Sequence, residues 1–132
     1  MGRRELREQI FKLLFRVEFN PPAEMAEQTR FFFSGSEKVI SEEDKAYITE
    51  KFEHIVEKKE EIDILLNQVA ESWKTGRMGK VDLTILRLAV YEIKFDSEVP
   101  DSVAINEAVE LAKKFGQDGS SSFVNGILAK FA

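Results

Sequence analysis

The sequence predicts an all-α fold, a compact bundle of about seven short helices. Apolar residues recur at helical spacing through nearly the whole chain, and the breaks between those stretches are brief and rich in Pro, Gly, Ser and Asp. With 132 residues, 43% hydrophobic and 33% charged, the chain is suited to one globular domain, expected to span residues 1–132, with a core of its own.

Leu6, Ile10, Leu13, Leu14 and Val17 repeat along one helical face and predict a first helix over residues 3–19. Asn20-Pro21-Pro22 ends it, because proline disfavours a helical conformation in the residue before it. Pro22 suits the first turn of a second helix, expected over 23–33 and closed by Ser34-Gly35-Ser36. Ser41, with an acid three residues on at Asp44, reads as the N-cap of a third helix carrying Ala46, Ile48, Phe52, Ile55 and Val56. Ile62, Leu65, Leu66, Val69 and Trp73 give a fourth, followed by the loop Thr75-Gly76-Arg77-Met78-Gly79. Residues 83–95 are almost continuously apolar, as a buried strand also is. The run is too long for a typical strand and holds no turn signal, so it predicts a central, mostly buried helix. Ile105, Ala108, Val109, Ala112 and Phe115 make a sixth helix, with Gly116 suited to its C-terminal cap. Residues 118–122 offer N-caps for a last helix carrying Phe123, Val124, Ile127, Leu128 and Phe131.

Eleven phenylalanines against one tryptophan and two tyrosines point to a core packed largely with Phe. The absence of cysteine excludes disulfides, thiol nucleophiles and Cys-based zinc sites. No apolar stretch approaches the roughly 18 residues of a membrane span, and the N-terminus never develops a signal-peptide core, so a cytoplasmic protein is expected. His54, the only histidine, makes neither a dyad nor a metal cluster and reads as a solvated side chain. Phosphate-cradling and nucleophile-elbow glycine motifs are missing. Glu57, Glu60, Glu61 and Asp63 could serve general acid/base chemistry only if desolvated in a cleft, and at this density on amphipathic helices they read preferably as a solvated outer face. These features argue against an enzyme, and no cofactor or metal is expected.

The net charge of −5 is unevenly spread. Residues 2–16 carry +3, residues 37–71 carry −6 and residues 72–95 carry +3 again, so two basic islands flank an acidic block. Within the first island Arg3 and Arg7 lie four residues apart, with Arg4 adjacent. Guanidinium groups near a helix start oppose the helix dipole, and they bind phosphate and stack on bases. They read either as an RNA contact or as a solubilising face with Glu8 paired to Arg4. Lys80, Thr84, Arg87, Tyr91 and Lys94 form the only polar line on the central helix. They read as an RNA-facing stripe or, preferably, as buried anchors with wet ends. Lys113-Lys114-Phe115-Gly116 and then Asp118-Gly119-Ser120-Ser121-Ser122-Phe123 form a helix-to-helix corner. It offers ammonium groups, backbone N–H groups and hydroxyls to phosphate, or is ordinary capping.

Three segments closely resemble the NusB family: Ile85-Leu86-Arg87-Leu88-Ala89-Val90-Tyr91-Glu92-Ile93 with Val99-Pro100, then the run from Ala104-Ile105-Asn106-Glu107 to Lys113-Lys114-Phe115-Gly116, then Phe123-Val124-Asn125-Gly126-Ile127-Leu128. Arg3-Arg4-x-x-Arg7-Glu8 with Leu13-Leu14-Phe15 is similar to the family's first helix. The resemblance implies an all-α fold of two small helical bundles. It implies binding of the boxA element of nascent RNA together with NusE, a small-subunit ribosomal protein. That pair joins other Nus factors on RNA polymerase, supporting antitermination and ribosomal RNA synthesis. By position it implies RNA contacts from Arg3, Arg4, Arg7, Lys113, Lys114, Ser121, Ser122, Phe123 and Asn125, and NusE contacts from Phe15 and Asp82. Here Glu5 interrupts the basic start, Phe15 stands where some relatives have tyrosine, and Gly119 replaces an expected acid beside Asp118.

Two other readings compete. One is a self-associating helical module without RNA affinity, since relatives are monomers or homodimers. The other is the RNA-targeting domain of a ribosomal RNA methyltransferase, which would need a separate catalytic partner.

Overall fold

The computed structural model describes residues 1–72 and 74–132. Among them are seven α-helices and no strand: α1 Arg3–Phe15, α2 Met25–Ser34, α3 Glu42–Glu57, α4 Lys59–Val69, α5 Lys80–Phe95, α6 Asp101–Phe115 and α7 Ser120–Ala129. The chain divides into two compact units, Met1–Val56 and Glu57–Ala132.

In the first unit α1 buries Ile10, Phe11, Leu13 and Leu14, α2 buries Met25 and Phe32, and α3 buries Ile48, Phe52 and Ile55. The α-helical part of α1 stops at Phe15, short of the expected 19, and a single 3-10 turn, Arg16–Glu18, carries the chain towards Pro21. A second 3-10 turn, Pro22–Glu24, opens α2 with proline in its first position. Ser41 caps α3 as its spacing predicts: the Asp44 N–H donates to Ser41 Oγ at 3.1 Å. Replacing that cap, Ser41→Ala, should cost about 1 kcal/mol, read as a lower urea midpoint at unchanged slope.

In the second unit α5 is the central helix. Every residue from Leu83 to Glu92 is buried, because α4, α6 and α7 all pack against it. The buried face of α6 consists of Ala104, Ala108, Leu111 and Ala112, three of them small enough to bring α6 close to both α5 and α7. The fourth helix ends at Val69, where Ala70 leaves the helical region (φ −89°, ψ 82°); Trp73, which the spacing placed at its end, lies outside the described residues. Among the described residues of the predicted apolar sets only Ala46 is exposed outright.

Arg87 joins α5 to α4. Its guanidinium donates from Nε to Asp63 Oδ1 at 2.9 Å and from Nη2 to Asp63 Oδ2 at 2.8 Å, the two-pronged geometry that suits guanidinium to carboxylate. Thr84 is buried with its hydroxyl bonded to the Lys80 carbonyl at 2.7 Å, and Tyr91 is buried on the same line. Only Lys80 and Lys94, at the ends, are exposed. The polar line of α5 is therefore structural, as preferred.

Candidate nucleic-acid interface

In the first unit, α1 presents Arg3 and Arg4 to solvent, while Arg7 is buried, 9% exposed. Arg7 lies one turn further along α1 than Arg3, next to the stretch in which Gln9, Ile10 and Phe11 are buried. The acids that interrupt the basic start have lysine partners: Glu5 sits 3.4 Å from Lys38 Nζ and Glu8 3.5 Å from Lys12 Nζ. The terminal ammonium of Met1 pairs with Asp44 Oδ2 at 3.1 Å, so the arginine-bearing turn is tied to the start of α3. Further along α1 the half-buried Phe15 stacks on Phe11, with ring centroids 6.2 Å apart, and receives Phe19 edge-on at 5.0 Å.

In the second unit the α6–α7 corner is built by close approach. Gly116 ends α6, its N–H bonded to the Ala112 carbonyl at 2.9 Å. It caps the helix as expected, but in an extended conformation rather than the left-handed one (φ −87°, ψ −173°). Glycine is needed there because a Cβ would lie 2.5 Å from Ser120 Cβ and 2.7 Å from the Ala112 carbonyl oxygen. Ser120 is buried, and its hydroxyl accepts the Gln117 N–H at 3.0 Å. Gly119 supplies the left-handed residue of the turn (φ 88°), which other L-residues adopt only with strain.

Having glycine as its N-cap, α7 starts without a side-chain cap. The amides of Ser121 and Ser122 have no acceptor within the helix, and the dipole adds positive potential at this end. Ser122 and Asn125 are exposed beside them, with Ser121 and Phe123 half-buried. Lys113 and Lys114 are exposed in the last turn of α6, where cations suit the dipole. Lys113 reaches Glu110 at 3.5 Å, and the Lys114 ammonium lies 5.5 Å from the centroid of its neighbour Phe115. Cations, hydroxyls, directed N–H donors and an aromatic edge thus occur together in one turn. Such a set of groups can hold a phosphate and a neighbouring unstacked base.

Asp82 is half-buried in the first turn of α5, where an acid is favourable, and His54 is exposed on α3. No group of three metal-ligating side chains occurs among the described residues, and none of their helices is long and apolar enough to cross a membrane. Asp63, the partner of Arg87, was indistinguishable in sequence from the solvated acids around it. Ser120 was one of several possible caps, and nothing in its spacing marked it as the buried one.

A sequence model of the NusB family matches residues 4–132. The chain belongs to the NusB family. It is 55% identical over 130 residues to the transcription antitermination protein NusB of Lachnoclostridium phytofermentans, covering 98% of each chain. Among solved structures, NusB of T. maritima superposes with a TM-score of 0.85 at 33% identity, covering 100% of this chain and 91% of that one. A chain in a crystal structure of antitermination factors NusB and NusE with double-stranded RNA has the same fold (TM-score 0.78, 24% identity, 98% and 94% covered). The NusB model runs through both compact units, so the arginine turn of α1, from Arg4 onward, and the α6–α7 corner both fall inside it.

Proposed function

We propose that this NusB-family chain is a non-enzymatic, cytoplasmic antitermination factor whose two units work as one RNA-binding domain over residues 1–132. It binds boxA RNA of nascent transcripts with NusE and brings both to the antitermination complex on RNA polymerase, supporting ribosomal RNA synthesis. The observation that carries this reading is the α6–α7 corner, where exposed Lys113 and Lys114 in the last turn of α6 are followed by a start of α7 that has no side-chain cap. Ser121 and Ser122 donate to phosphate through backbone N–H and hydroxyl. The lysines neutralise the adjoining phosphates, Phe123 offers a ring to a base, and Asn125 offers an amide to a base edge. Arg3 and Arg4 are the outward phosphate contacts of α1, with Arg7 supporting that turn from its buried position. Phe15 and Asp82 contact NusE. No catalytic step and no cofactor enters.

Phosphate contacts displace counterions, which makes the reading quantitative. Lys113→Ala/Lys114→Ala should weaken single-stranded RNA binding about tenfold and flatten the log–log salt dependence by about 1.4, from about 0.7 per lost contact. Arg3→Ala/Arg4→Ala should do the same. Fluorescence anisotropy at several salt concentrations measures both quantities. RNA binding with an unchanged slope in both double variants would remove these residues from the interface.

A further inference from the structure

We infer that Phe19 is an anchor of the protein-binding surface, seated together with Phe15 in an apolar cleft of the same partner; this rests on the partner role proposed for Phe15. Isolated exposed apolar residues are ordinary on protein surfaces. Phe19 is different because it is 59% exposed and yet held in place. Its ring meets Phe15 edge-on at an interplanar angle of 72°, and Phe15 stacks in turn on the buried Phe11, so an aromatic ladder runs from the core to the surface.

The backbone that carries it is also tied down. The Phe19 N–H donates to the Arg16 carbonyl at 3.1 Å, and the Asn20 side-chain amide donates to that same carbonyl at 2.9 Å. The Arg16 guanidinium bonds both the backbone and side-chain oxygens of Gln28, at 3.2 and 3.1 Å, and lies over the Phe32 ring. Pro21 stiffens the exit. A large ring held in one position loses little conformational freedom on binding, and rigid aromatic anchors of this kind dominate interface energetics.

The surroundings specify the partner's chemistry. Phe15 has no hydroxyl, so this surface recognises by apolar burial and not by a hydrogen bond at the ring edge. The segment that follows Phe19 holds the exposed Glu24 and Glu27 against a single exposed base, Arg30. The matching cleft is therefore apolar with a basic rim, on the protein that Phe15 faces.

The test is isothermal titration of the full chain with NusE, comparing wild type, Phe19→Ala, Phe19→Tyr and Phe31→Ala. Phe31, 51% exposed on α2, controls for the loss of any surface ring. Phe19→Ala should weaken binding about tenfold or more at an unchanged melting temperature, with Phe19→Tyr and Phe31→Ala within about threefold of wild type. Wild-type binding that Phe19→Ala leaves within about threefold overturns this inference alone. No binding by wild type overturns the NusE reading and this inference with it. Sedimentation showing a wild-type dimer that Phe19→Ala dissolves assigns the ring to a second copy and also overturns the proposal.

Discussion

Asp63→Ala should destabilise the second unit by about 3 kcal/mol, far more than loss of any exposed ion pair of this chain. Asp63 takes both prongs of the Arg87 guanidinium, whose side chain is only 8% exposed, while Asp63 itself is 22% exposed. Its removal takes from a buried guanidinium the carboxylate that accepts from its Nε and Nη2, and the lost compensation for desolvation sets the magnitude. The partial exposure of Asp63 places the estimate at the lower end of the range for broken buried pairs. By contrast Glu110→Ala, which frees the exposed Lys113, should change stability by less than about 0.5 kcal/mol. Urea unfolding measures both. The paired replacement Asp63→Leu/Arg87→Met should recover most of the loss, since a well-packed apolar pair often matches a buried ion pair. A cost for Asp63→Ala no larger than for Glu110→Ala would mean that the pair does not hold α4 against α5.

The second large effect concerns Gly116. Gly116→Ala should cost about 2–3 kcal/mol and also lower RNA affinity. Its new methyl would collide with Ser120 and with the Ala112 carbonyl oxygen, which is backbone and yields only if the end of α6 moves. Ser120 opens α7, so relief of the clash displaces the first turn of α7, which carries the amides and hydroxyls of Ser121 and Ser122, relative to the end of α6. Gly126 is the control: an added Cβ there meets nothing within 4 Å, and the residue is exposed inside α7. Gly126→Ala should therefore stabilise by about 0.5–1 kcal/mol, the usual gain for replacing glycine inside a helix. Opposite signs at the two glycines would separate a packing role from mere flexibility. Equal, small effects would mean that the corner is not built on close approach.

The helices were legible where hydrophobic spacing decides the outcome. α5 is the clearest case: a nearly continuous apolar run, too long for a strand, became a helix buried over ten consecutive residues. For Arg87 and Tyr91 the sequence left two readings open, an RNA-facing stripe or the preferred buried anchors, and packing of the neighbouring helices decides for burial. Their companion was not, since the identity of Asp63 is fixed by how α4 packs on α5 and not by any local pattern. Arg7 was grouped with Arg3 by its spacing, yet one turn further along α1 it is buried while Arg3 and Arg4 remain exposed, a difference that depends on what packs over that turn and not on spacing along the helix. Glycine at 116 was recognised as a helix end, but the reason for glycine, a close approach to Ser120 across the turn, was not legible. Phe19 was read as the tail of a helix. Only the early stop of α1 and the ladder through Phe15 give it a surface position with structural support.

The central claim is that this chain reads boxA RNA as a pair with NusE. The most direct test is an anisotropy titration of labelled boxA RNA and a scrambled RNA, each with and without NusE, at two salt concentrations. Tighter binding of boxA than of the scrambled strand, strengthened by NusE and weakened by salt, is the predicted result. Equal and negligible binding of both RNAs with NusE present would contradict the claim and leave a helical module that associates with protein alone.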